Sequence, residues 1–478
     1  MQAFASGEWG ARPTVSDEFV YLFQAKTLLA GRLAFPSPPL PEFFEAAHLL
    51  VVPTFAAKYL PGHAAMLAPF LAAGVPWLGP CFLLGLTAAL LFIAARLAGL
   101  SRTASIGAGL LLLGAPEVFP FFASYLSQST SMAVTSALFV CVLMLKRGTS
   151  RLAMVALGTC IAFAALVRPF TGIAAGVTAA SVLFRLRDRL PARVVVWSIP
   201  PLVVGVVVIA LVCHATTGSV KTMPWALYAR QYAPYDGPGI GAVAEVAPER
   251  PLPPQLQTLY DDFLRSRRKH TWERLPAEAF RRVGVVASLA PSWAVIPFAL
   301  LGLAWTPLAF TSLFALVAFL LQLTFHVGGA NYHLELYPWL ALAAAAGAER
   351  AVRWAIGMKR ATAVALCAAL ALPLVWTAKR MAWETTDVLL HAPQRGWRFA
   401  PWEPAFERLR QEHALVFVKY GPRMSGIAEL TYNDPDLEHS ELIRAIDKGP
   451  RDAELLAFFP NRPAFVFDLA TQQLERIR

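Results

Sequence analysis

The chain has 478 residues, of which 56% are hydrophobic and only 15% charged. Soluble domains carry about 25% charged residues, so this composition excludes an ordinary soluble enzyme, a disordered chain and a disulfide scaffold, and describes a membrane protein. The net charge of +11 does not call for nucleic acid as a partner, because the basic residues fall mainly in short turns between apolar runs.

In chain order, the first 60 or so residues contain no run of the roughly 20 apolar residues that a span needs. Within them, Ser16-Asp17-Glu18 opens a helical stripe with apolar or aromatic residues at 19, 22, 23, 25, 28 and 29, the pattern of an interfacial amphipathic helix. The segment 62–74 is apolar but short, which suits a broken or re-entrant lead-in. Full spans are expected at 76–98, 103–120, 125–146, 151–168, 169–185, 194–214, 284–304, 308–326, 335–352 and 361–378, about ten in all. Between Val283 and Leu334 no Asp, Glu, Lys or Arg occurs, and Trp305-Thr306-Pro307 supplies the turn of a hairpin of two spans.

Alternate short loops hold Arg96 and Arg102, then Lys146, Arg147 and Arg151, then Arg185, Arg187, Arg189 and Arg193, then Arg350, Arg353, Lys359 and Arg360. Basic loops stay in the cytoplasm. The N-terminal segment 1–61, the loop 215–283 and the tail 379–478 are therefore expected on the opposite side. The bundle is read as 62–378. The tail has frequent charges and short β-rich runs at 415–418 and 464–467, which predicts a small extracytoplasmic α/β domain. The fold class expected is thus mainly α, a polytopic transmembrane bundle with a small C-terminal α/β domain. The five cysteines are odd in number, lack CxxC spacing and lie in apolar stretches; they read as core residues.

Four clusters carry chemistry. Asp17 and Glu18 stand at a helix start, where carboxylates serve either as caps or as a general base or metal ligand. Lys58-Tyr59-Leu60-Pro61-Gly62-His63 puts a cation at an abrupt turn, suited to a phosphate or to simple snorkelling. Arg168-Pro169-Phe170-Thr171-Gly172 places an Arg at the outer end of two short helices, against the charge bias, so it must find a carboxylate such as Glu117, backbone carbonyls or a ligand anion. The turn Gly328-Gly329-Ala330-Asn331-Tyr332-His333-Leu334-Glu335 brings groups that bind a ligand or cap the next helix. The histidines show no metal spacing.

In their order, Asp17-Glu18, Gly31-Arg32-Leu33, Lys58 to His63, Leu166 to Gly172 and Thr216-Thr217-Gly218-Ser219 resemble the bacterial GT-C glycosyltransferases, especially relatives of the protein O-mannosyltransferases and the lipid A aminoarabinose transferase. The resemblance covers about residues 15–378. It implies a membrane enzyme that moves a sugar from a polyprenyl-phosphate donor to a hydroxyl of a lipid, glycan or protein acceptor, with inversion, on the extracytoplasmic face of the bacterial inner membrane. By the same resemblance Asp17 is the base, with Glu18 beside it, and Lys58 contacts the lipid phosphate. Tyr59, His63, Arg168, Tyr332 and Glu335 are further substrate-binding positions. Some relatives use a divalent metal, although no ligand cluster in this sequence demands one. Family members begin with a membrane helix leading into the acidic loop, and sixteen residues precede Asp17 here, so the resemblance implies a missing first helix. The competing reading is a transporter or flippase of a lipid-linked sugar, which uses the same cations without breaking a bond; no repeated halves support it.

Overall fold

The computed structural model describes residues 13, 15–115, 117–243, 246–356, 403–421 and 430–478, with five single positions between 357 and 402. Apart from positions 368, 375 and 376, the span expected at 361–378 lies outside the described residues. The fold is mainly helical with a small C-terminal sheet. The chain divides into two compact units, one of residues 77–209 and 271–388, the other of 2–76, 210–270 and 389–478.

The first unit holds most of the apolar helices; the short apolar helix Gly62–Ala72 belongs to the second. Among the described residues four helices of the chain are long and apolar enough to cross a membrane, Leu78–Leu97, Gln128–Arg147, Ala192–Thr217 and Thr306–Leu323, and a fifth results if the pair Leu275–Ser288 and Trp293–Gly302 counts as one span. That pair bends by 96°, where a straight span over 284–304 was expected. The break contains Pro291, which cannot donate a helical hydrogen bond, and Ser292 is extended. Arg102–Leu113, Arg151–Val167 and Pro169–Arg185 are shorter apolar helices.

Side-chain size decides which helix sits at the centre. Along Gln128–Arg147, 89% of the apolar window is buried, against 11% along Ala192–Thr217. The central helix carries Ser129, Ser131, Thr135 and Ser136, small residues that let neighbours approach closely. Phe139 meets Phe310 and Phe314 edge-on at 5.6 and 5.4 Å. The peripheral helix leaves Val203, Val204, Val206 and Leu211 exposed, as lipid-facing residues are. A Cβ on Gly347 would come within 1.7 Å of the Phe298 carbonyl, and one on Gly302 within 1.8 Å of that of Ala343. Only glycines permit this approach of Tyr337–Ala355 to Ile296–Gly302.

The second unit joins the N-terminal segment, part of the long loop and the tail. The helix Ser16–Leu29 is enclosed, not one-sided: Val20, Tyr21, Phe23, Gln24, Ala25 and Thr27 are all buried. Strands β1 (Phe35–Pro36), β2 (Leu49–Leu50) and β3 (Thr54–Ala57) form an antiparallel sheet in the order β1-β3-β2. In the tail, β4 (Leu415–Lys419), β5 (Ile443–Ile446), β6 (Ala464–Asp468) and β7 (Gln473–Arg476) take the order β5-β4-β6-β7, with only β7 antiparallel to its neighbour. Both faces of β4 are buried, as parallel strands require. Leu415 and Phe417 join a core with Val20, Phe23, Phe43 and Phe44 of the N-terminal segment. Val416 and Val418 face Phe406, Leu409, Phe465 and Phe467. The tail is thus built into the same hydrophobic core as the acidic helix.

Candidate active site

The hairpin of β2 and β3 sets the geometry. Its register pairs Leu49 with Ala57, which brings residue 48 opposite residue 58, and the Lys58 N–H donates to the His48 carbonyl at 3.0 Å. His48 takes a left-handed backbone, φ 67°, and its N–H donates to the Tyr228 hydroxyl at 2.9 Å. Tyr260 donates its hydroxyl proton to the same oxygen at 2.7 Å. Behind this loop Glu45 is held by Arg250 at 2.8 Å and by the Tyr232 hydroxyl at 3.1 Å, so the position of His48 is fixed from two sides.

Asp17 lies in the first turn of its helix, whose dipole favours a carboxylate. The Tyr59 hydroxyl donates to Asp17 Oδ1, and His48 Nε2 stands 3.8 Å from Oδ2. The Asp17 side chain keeps 38% of its surface open, enough to be reached. Lys58 Nζ lies over the faces of Tyr59 at 5.4 Å and Tyr228 at 5.0 Å, a cation held by two ring quadrupoles.

These groups set one another's protonation. Burial pushes His48 down to about 3, the charge of Lys58 adds to this, and Asp17 opposes it. His48 is therefore a neutral imidazole at neutral pH. Burial raises Asp17, but His48, the Tyr59 hydroxyl and Lys58 more than offset this and hold it below the ordinary carboxylate value. Burial lowers Lys58, with Asp236 and Asp17 pulling the other way, and burial raises Asp236 against the pull of Lys58. Asp17, His48 and Lys58 thus form one electrostatically coupled cluster.

The other expected residues take different places. Glu18 is fully buried and its Oε2 accepts the N–H of Val15 at 3.3 Å, capping the helix. His63 is buried edge-on to Tyr21 at 4.7 Å, and Tyr21 stacks on Tyr59 at 4.8 Å, so His63 supports Tyr59 through that ring. Arg168, in the first unit, donates from Nη1 to Glu335 Oε2 at 3.3 Å and to the Asn331 carbonyl at 3.4 Å. Glu335 is fully buried and also accepts from Gln322 at 3.3 Å. The carboxylate that Arg168 required is Glu335, not Glu117. Tyr332 lies against Phe325, with ring centroids 6.1 Å apart. Gly172 serves the close crossing of the two short helices, since a Cβ there would meet Ala165 at 2.6 Å.

Sequence pointed to Tyr228 and Asp236 only as part of a long outer loop whose aromatic and polar residues could line a sugar site or rest on lipid headgroups, and gave His48 no role. A histidine directly before a short apolar strand has no motif, and its partner Tyr228 lies 180 residues away. Among the described residues no group of three or more His, Cys, Asp or Glu could hold a metal ion; Asp17 and His48 alone make an incomplete set, and Lys58 beside them opposes a cation. No protein-family model matches the chain, and no curated protein matches it.

Proposed function

We propose that the protein is an integral membrane glycosyltransferase of GT-C type that moves a sugar from a polyprenyl-phosphate donor to an acceptor hydroxyl, with inversion, on the extracytoplasmic face of the bacterial inner membrane. The observation that carries this reading is the pairing of Asp17, ionised and reachable, with Lys58 in the same cluster. Asp17 takes the proton of the acceptor hydroxyl, and the oxygen attacks the anomeric carbon. The bond from that carbon to the phosphate oxygen breaks, its electron pair stays on the phosphate, and Lys58 stabilises the departing anion. Tyr59 aims the carboxylate and keeps it ionised. No step is routed through a metal. Arg168, already matched to Glu335, is left out of the chemistry. The helices Arg102–Leu113, Arg151–Val167, Pro169–Arg185 and Tyr337–Ala355, together with 361–378, would bring the bundle to about ten crossings.

One observation favours transport instead: the 96° bend in the Leu275–Gly302 segment resembles the broken helices of transporters. Asp17→Asn separates the two readings. In proteoliposomes with a polyprenyl-phosphate sugar, the variant should lose transfer while still binding the donor lipid, and Lys58→Met should weaken donor binding. Undiminished transfer by Asp17→Asn removes the proposed base, and lipid-linked sugar crossing the bilayer without product favours the transporter.

A further inference from the structure

A cavity of about 310 Å³ opens within the second unit, between the helix Ser16–Leu29 and the tail. The helix lends it Phe19, Leu22, Phe23 and Lys26, which share one face at spacings of three and four residues. At about 3.6 residues per turn, Lys26 stands roughly two and a half turns beyond Asp17, on the opposite side of the helix. The hollow is therefore separate from the Asp17 cluster. Its tail wall holds Arg410, Asp434 and Arg444. Asn433 pins this wall in place: its amide donates to the Arg444 carbonyl and its Oδ1 accepts the Arg444 N–H, each at 2.8 Å. The Arg444 guanidinium lies over Phe406, 4.9 Å from the ring centroid, and its Nη1 donates to the Leu430 carbonyl at 3.5 Å, so this cation is fixed before any ligand arrives.

Two groups of the wall have bonding capacity left and open surface through which to use it. Lys26 donates to Asp434 Oδ1, which leaves Oδ2 to accept. Arg410 meets Glu407 and Glu441 only as loose ion pairs, at 3.5 and 3.6 Å. Arg410 and Asp434 keep 41 and 43% of their side chains exposed. An arginine fork matches a planar carboxylate, and a carboxylate such as Asp434 accepts a hydroxyl proton. Lys26, Arg410 and Arg444 outweigh Asp434, so the wall is net positive, while Leu22 and Leu442 give it an apolar surface. A volume at the lower end of the roughly 300–1,000 Å³ of ligand pockets suits one small molecule. We propose that this cavity binds an acidic sugar of the uronic acid class, with its carboxylate on Arg410, a ring hydroxyl donating to Asp434 and the ring lying against Leu22 and Leu442. A phosphate is the poorer match, because it sets about two negative charges against Asp434. The site needs neither Asp17 nor the transfer reaction, and the acid held there is recognised, not transformed.

The test uses the full chain in detergent micelles and three probes followed by titration calorimetry: methyl glucuronide, methyl glucoside and inorganic phosphate. The glucuronide should bind with a Kd below about 10 mM. The glucoside, which lacks the carboxylate, should bind at least about tenfold more weakly, the worth of a hydrogen bond to a charged group. Phosphate should also bind more weakly than the glucuronide. Arg410→Gln should cost the glucuronide about the same tenfold; if that variant melts early, Arg410→Lys, which keeps the charge and loses the planar fork, reads the same contact. Asp434→Asn should narrow the preference for glucuronide over phosphate, and Asp17→Asn should leave glucuronide binding unchanged. No binding of the glucuronide, equal binding of the glucoside, or full affinity in both Arg410 variants overturns the inference. So does phosphate binding as tightly as the glucuronide, the mark of a bare anion site, and so does weaker glucuronide binding in Asp17→Asn, which moves the acid to the other face of the helix.

Discussion

The burial of His48 makes a quantitative claim about acid stability. In the folded protein its pKa is about 3, against 6.5 for a free histidine. Above pH 6.5 both folded and unfolded forms hold it neutral, and the full stability is present. As pH falls below 6.5 the unfolded chain takes a proton that the folded chain refuses, so stability is lost until the pH passes the folded value near 3. One pKa unit corresponds to about 1.4 kcal/mol, so the whole shift is worth on the order of 5 kcal/mol, and at pH 5 the loss is already about 2 kcal/mol. Glu45 and Asp236, both raised chiefly by burial, bind protons more readily in the folded state and act in the opposite direction. The clean quantity is therefore a difference. Equilibrium unfolding in mixed micelles, followed by tryptophan fluorescence at pH 7 and pH 5, should show wild type losing about 2 kcal/mol more than His48→Asn. Equal losses in the two proteins would mean that His48 is not the buried neutral imidazole described above.

Tyr59→Phe removes the hydroxyl that donates to Asp17, so the acid limb of the pH–rate profile should move upward; an unmoved limb would show that Tyr59 does not set the ionisation of Asp17. Arg168→Met strands the fully buried Glu335 and should cost about 3–5 kcal/mol in the same unfolding assay, while replacing Glu335 by leucine in that background should recover much of it. Gly347→Ala forces a methyl group onto the Phe298 carbonyl and should destabilise by about 1–3 kcal/mol or more, seen as a lower melting temperature; a neutral result would contradict the tight helix crossing.

What could be read from sequence was what is local. The long apolar helices of the structure, Leu78–Leu97, Gln128–Arg147, Ala192–Thr217 and Thr306–Leu323, overlap the runs expected at 76–98, 125–146, 194–214 and 308–326, because hydrophobic length is written in contiguous residues. Strands β4 and β6 were legible for the same reason. Strand β5 hides behind Arg444, and β7, Gln473–Arg476, is a polar edge strand with three exposed residues, so neither has an apolar signature. The bend at Pro291 was missed because the charge-free stretch was divided at Trp305-Thr306-Pro307 by length, which left 284–304 long enough for one straight span.

The site divides along the same line. Asp17 and Lys58 each stand beside a local break, a helix start and a Pro-Gly turn, and could be singled out. His48 acquires its character only when the β2–β3 register sets it opposite Lys58 and Tyr228 arrives from the long loop. Arg168 shows the converse. Near it in sequence the only acid on its own side was Glu117, so it was read as wanting either that partner or a ligand anion. Its carboxylate comes from 167 residues further on. A guanidinium already matched to a buried Glu335 has far less need of a phosphate, whereas Lys58, held by ring faces and lowered by burial, gains most from an arriving anion. In the proposed transfer the leaving phosphate therefore goes to Lys58.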